Sequence, residues 1–147
     1  MIGPKRVKLT TAETKRNYQI ATDRNAGICE LCHRAPGNRH HRQGRDPYNS
    51  VPSNILLACG SGTTGCHGLI HREVEWALER GYIVPDSWDP RVTPVLYWLP
   101  TALGARREAW VLLSDAGGVV EIPEREASRR IRDGRLYETS DDEQAVS

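Results

Sequence analysis

The sequence predicts a small α+β fold built around a metal-stapled centre, and three observations carry that prediction. All four cysteines and all five histidines of the 147 residues lie between Cys29 and His71. Short apolar runs of strand length alternate with stretches of helical spacing, and no internal repeat interrupts them. Hydrophobic residues make up only 38% of the chain and Phe is absent, so the core is thin and a metal staple is favoured.

The elements follow in order. Residues 1–9 read as a short basic arm. Thr10 and Glu13 have the spacing of a capping box, which predicts a helix over residues 11–23 with Ala12, Ile20 and Ala21 on its inner face. Gly27 supplies the left-handed stop. Cys29 and Cys32 then form a C-x-x-C knuckle, which needs a second pair of ligands to close a zinc tetrahedron. Cys59 and Cys66 supply that pair across a glycine-rich insertion, with His33 as a nearby substitute ligand. Residues 39–42 read as the end of a strand, residues 43–53 as an irregular loop, and residues 54–58 as an apolar strand returning antiparallel to the first. Ile70, Val74, Ala77 and Leu78 recur at helical spacing, predicting one helix over residues 66–80 stopped at Gly81.

Beyond Tyr82 the chain predicts a proline-rich loop, strands over residues 95–99 and 110–113, and a hairpin partner over residues 119–122. Pro123, acids in the first turn and arginines in the last mark a short helix closed at Gly134. Four segments result: an N-terminal arm and helix (1–27), a zinc-stapled core (28–84), a C-terminal β-hairpin and helix packed on or appended to it (85–136), and a disordered acidic tail (137–147).

A formal net charge of +1 does not by itself announce a nucleic-acid binder, but Arg39, Arg42 and Arg45 crowd the histidine region. Arg125, Arg129, Arg130 and Arg132 form either a second basic stripe or a solvated helix face. No stretch approaches the about 20 apolar residues of a membrane span and no signal-peptide core is evident, so a cytoplasmic protein is expected. In that reducing compartment Cys29, Cys32, Cys59 and Cys66 favour thiolate ligation of a structural Zn²⁺ over disulfides.

The histidines form a second set. His67 and His71, four apart on one helix, share a face and suit a divalent cation. His40 and His41 are adjacent on a strand and point to opposite faces, so one can bind metal while the other takes a proton from water.

With H-H at His40 and His41, N-I at Asn54 and Ile55, and C-H-x-x-I-H from Cys66 to His71 between two cysteine pairs, the chain resembles the HNH endonucleases of the ββα-metal superfamily. It is most similar to the small HNH nucleases of bacteriophages and prophages, and its active-site half also looks like colicin-type DNases. Where the colicin-type enzymes carry Glu two residues before the metal-binding histidine, this chain has Asn38.

The resemblance implies a small ββα-metal core and hydrolysis of DNA phosphodiester bonds, with double-stranded DNA as partner in the cytoplasm of a host bacterium. It assigns His41 as general base, and His40, His67 and His71 to one catalytic divalent cation (Mg²⁺, Mn²⁺, Ni²⁺ or Zn²⁺), His71 being a third ligand or a phosphate contact. Asn54 either braces the loop that orients the base or reaches the metal, and Arg39, Arg42 and Arg45 are the phosphate-contact candidates. The alternative is a non-catalytic zinc-stapled module that binds DNA or protein, for example as an accessory to a phage DNA-packaging motor.

Overall fold

The computed structural model describes residues 7–134. The first residues of the expected basic arm and the expected acidic tail lie outside the described residues. What is described is a mixed α+β fold of two small antiparallel sheets and four α-helices. None of the helices among the described residues is long and apolar enough to cross a membrane.

Helix α1 spans Thr11–Asp23. Both halves of the capping box are present: the Thr10 hydroxyl accepts from the Glu13 amide at 3.0 Å, and the Glu13 carboxylate accepts from the Thr10 amide at 2.9 Å. Two otherwise orphaned amides are thereby satisfied, which fixes where the helix begins. Ala21 is buried and Ile20 half-buried, but Ala12 is exposed, a correction to the expected inner face. The chain leaves α1 through Ala26 and Gly27, both at positive φ, and enters the cysteine knuckle, which a bridge between Ile28 and Pro36 closes.

Strands β1 (Asn38–His41) and β2 (Ile55–Ala58) pair antiparallel, with His40 opposite Leu56 and His41 opposite Ile55. All four residues of β2 are buried, as expected of a strand covered on both faces. A 3₁₀ turn at Pro52–Asn54 precedes β2.

The single helix expected over residues 66–80 is two: α2 (Gly65–Arg72) and α3 (Val74–Glu79). Glu73, at φ −113° and ψ 71°, departs from helical geometry while its amide still bonds the Leu69 carbonyl at 2.8 Å and its own carbonyl accepts from Ala77 at 2.9 Å. It is the last link of one helix and the first of the next. Neither Gly nor Pro marks the break, so the periodicity concealed it. The same bend turns Val74, expected inward, to 48% exposure.

The expected hairpin is a three-stranded meander in the order β3 (Val95–Pro100), β4 (Arg106–Leu113) and β5 (Val119–Glu121). Strand β4 begins four residues before the expected start because its polar half, Arg106 to Ala109, pairs with Tyr97 to Pro100. Helix α4 (Glu124–Arg132) follows Pro123, and Gly134 ends against the Trp88 ring so closely that a Cβ would lie 2.1 Å from it.

One hydrophobic cluster joins these parts: Cys29 and Leu56 from the knuckle and β2, Ile70 and Ala77 from the helices, and Val95, Tyr97, Val111 and Leu113 from the second sheet. Beside it runs a buried polar network that the sequence does not reveal. Arg24 clasps the Glu30 carboxylate with two nitrogens at 2.8 and 2.7 Å, and reaches the Pro52 and Ile55 carbonyls. Glu30 also accepts the Leu57 amide at 2.9 Å and the Tyr97 hydroxyl, so every charge taken from water is met by a partner.

Candidate metal centres

The four cysteines meet because the knuckle turn packs on the end of β2 and the start of α2. Their sulfurs all lie within 4.8 Å of one another. Four thiolates bound at about 2.3 Å around a tetrahedral zinc stand about 3.8 Å apart, and Cys32 Sγ and Cys59 Sγ are 3.8 Å apart. That separation rules out a disulfide and fits a shared cation. The Cys59 amide donates to Cys29 Sγ at 3.3 Å, a bond that favours a thiolate there. Burial and the neighbouring cysteines push the Cys66 thiol up, so a cation at the centre is what the set requires to ionise together.

The long insertion from Gly60 to Gly65 closes on itself. The Ser61 amide bonds the Thr64 carbonyl at 3.1 Å, and both flanking glycines adopt positive φ. A Cβ on Gly65 would stand 2.6 Å from the Cys59 carbonyl oxygen, so the turn that returns Cys66 to the cluster requires glycine. The substitute ligand His33 is elsewhere, its Nδ1 3.3 Å from Asn25 Nδ2.

One residue past Cys66, the second cluster begins. Nitrogens of His40, His67 and His71 also lie within 4.8 Å of one another. His67 and His71 share a face of α2 with ring centroids 4.8 Å apart, and β1 brings His40 against both at 5.3 and 6.0 Å. His40 Nε2 is 2.7 Å from the Tyr82 carbonyl oxygen. A carbonyl only accepts, so Nε2 carries the proton and Nδ1 keeps its lone pair, the tautomer in which metal-ligating histidines are commonly held.

Burial, against the Tyr82 bond and with help from His67 and His71, pushes the His40 pKa down to about 4. Burial and then His71 lower that of His67. His71 is exposed, so this cluster opens to solvent on one side.

His41 occupies the other face of β1, as adjacent strand residues must. Its Nε2 lies 3.0 Å from Ser50 Oγ, which is 3.4 Å from the Tyr18 hydroxyl, and the Tyr18 ring meets the imidazole edge-on at 6.1 Å. Burial lowers its pKa, Arg45 and Arg39 lower it further, and Asp46 opposes them, leaving a neutral ring at pH 7. Neither Ser50 nor Tyr18 carries a sequence signal, since a loop and a helix deliver them from different places in the chain.

Asn54 is fully buried. Its Oδ1 accepts the Gln43 amide at 2.9 Å, and its Nδ2 donates to the Asn49 carbonyl at 3.0 Å. Of the two expected roles this geometry is the loop brace: the side chain pins both ends of the segment from Gln43 to Asn49, next to His41 and Ser50.

Arg42 requires a correction. Expected at a phosphate, it is 1% exposed, with its guanidinium donating to the carbonyls of Gly81, Ser53, Pro90 and Thr93 at 2.8 to 3.0 Å. Burial, and next the Arg24 charge, weigh against its own charge; four carbonyl dipoles hold it. Arg42 is a scaffold residue joining β1 to the chain after α3. Arg39 and Arg45, by contrast, remain exposed beside His41.

No family model, curated protein or solved structure matches the chain.

Proposed function

We propose that the protein is a metal-dependent endonuclease that hydrolyses DNA phosphodiester bonds with HNH-type chemistry. One observation carries the proposal: three imidazoles converge at an opening, while the neighbouring His41 stands on the opposite face of the same strand, neutral and held by Ser50.

His40, His67 and His71 would hold a divalent cation (Mg²⁺, Mn²⁺, Ni²⁺ or Zn²⁺), distinct from a structural Zn²⁺ on the cysteines. When bound, such a cation polarises the scissile phosphate and stabilises the leaving 3′ oxygen. His41 takes the proton from the attacking water, a task for a neutral imidazole. Ser50 fixes its ring, and Asn54 fixes the loop that carries Ser50's neighbours. Arg39 and Arg45 contribute phosphate affinity without reading sequence. The exposed side of the cluster, at His71, gives the substrate access.

Supercoiled plasmid incubated with zinc-loaded protein and each of Mg²⁺, Mn²⁺, Ni²⁺ and Zn²⁺ should be nicked or linearised with at least one of them. Folded protein that cuts with none would sink the proposal. Duplex binding without cleavage would favour the non-catalytic zinc-stapled module instead.

A further inference from the structure

Between α1 and β1 an open groove of about 550 Å³ is lined by Lys15, Tyr18 and Gln19 from the helix and by Arg39 and Arg45 from the strand and the loop after it. It continues past Leu9 and Arg45 into a second hollow of about 460 Å³ that reaches Ser50, the partner of His41. Among the described residues, every charged side chain lining the first hollow is positive. Among the described residues none of the three cations is in an ion pair. Asp46, the acid of the second hollow, accepts the Tyr48 amide at 2.7 Å.

The groove also has a fixed floor. The Arg39 guanidinium lies over the Tyr18 ring with 4.2 Å to its centroid, while the ring meets His41 edge-on. One face of the ring is thus occupied, and a base could stack there only by displacing Arg39. The floor holds a cation in place rather than offering an aromatic platform.

We infer that this groove is a lane for the sugar–phosphate backbone of the DNA strand leading to His41, gripped through Lys15, Arg39 and Arg45 without readout of the bases. The inference rests on the endonuclease reading and adds α1 to its substrate-binding surface. Charge complementarity names the occupant: a cationic trough with no acid among the described residues of its first hollow suits a polyanion. Continuity with Ser50 names the place, because a strand lying in it leads to the face on which His41 stands.

Duplex binding tests this by fluorescence anisotropy over a salt series, using the zinc-loaded full chain without added divalent cation and two labelled duplexes of unrelated sequence. Each lost phosphate contact flattens the slope of log affinity against log salt by about 0.9. Lys15→Gln with Arg45→Gln should therefore flatten it by nearly two, equally on both duplexes. Tyr18→Phe, which keeps the ring under Arg39, should hold the wild-type slope, and Tyr18→Ala should flatten it.

An unchanged slope in the double variant, beside a flattened one in Arg125→Gln with Arg129→Gln, would place the DNA surface on α4 and overturn the inference. Unequal losses on the two duplexes would overturn the claim that bases go unread. If the double variant keeps its slope while wild type still cuts plasmid, the groove fails and the endonuclease reading stands. A wild-type chain that neither binds duplex nor cuts plasmid overturns both.

Discussion

Two clusters of metal-ligating side chains lie one residue apart, at Cys66 and His67, and differ in almost every physical respect. The sulfurs are held by turn geometry, with Cys29 fully buried and a backbone amide on its Sγ. The imidazoles grade from buried His40 through half-buried His67 to exposed His71. A closed set with every ligand position filled suits structure, whereas a set of three with an open side leaves room for water and substrate. On the proposed reading, neighbours in sequence are thus divided between holding the fold and doing its chemistry.

Disabling the cysteine cluster and the proposed catalytic base separately should break that comparison most visibly. Stripping zinc from the cysteines, or Cys29→Ser, should abolish cooperative unfolding followed by circular dichroism: a site worth about 10–16 kcal/mol in small zinc modules exceeds the whole stability of many domains. A variant that melts like wild type would show that the sulfurs are mere packing. At the imidazoles the effect should fall on rate. His41→Ala, beside that cluster on the other face of β1, should slow plasmid cleavage by about 10²–10⁴-fold, with zinc content by mass spectrometry and the melting curve unchanged; lost zinc would mean that His41 supports the sulfur site.

Arg42 sharpens the comparison from the scaffold side. Arg42→Met leaves four carbonyls without their donor and should cost about 3–5 kcal/mol in urea unfolding, whereas Arg45→Gln, three residues along, should change stability by less than about 0.5 kcal/mol. Equal costs would mean that the burial of Arg42 counts for nothing. A smaller loss than at Arg42 is expected at Thr10, distant in sequence from both clusters, where Thr10→Ala should cost about 1 kcal/mol through the lost cap without altering cleavage per folded molecule.

What the sequence revealed followed from local chemistry. The capping box places the start of α1, the C-x-x-C spacing places the knuckle, and strand alternation sends His40 and His41 to opposite faces. What it hid depends on partners far along the chain. Arg42 has the composition of a phosphate contact, and only the convergence of Gly81, Ser53, Pro90 and Thr93 makes it a buried donor. The α2–α3 break is set by Glu73's backbone and carries no breaker residue. The polar first half of β4 lacks the apolar alternation of a strand and is held by its pairing with β3. Ser50 and Tyr18 reach His41 from a loop and a helix that periodicity cannot bring together.

The bond from Tyr97 to Glu30 has a consequence for the order in which the chain matures. Glu30 lies inside the knuckle, yet one of its hydrogen-bond partners is 67 residues downstream. A nascent chain that has emerged only through α3 has every metal ligand in hand but lacks a donor for that buried carboxylate, and Val95, Val111 and Leu113 are missing from the shared cluster. Because segments emerge N-terminal first during synthesis, both metal-ligand sets leave the ribosome before the sheet that completes their support. The second sheet therefore closes only after both ligand sets have emerged, although no ligand belongs to it.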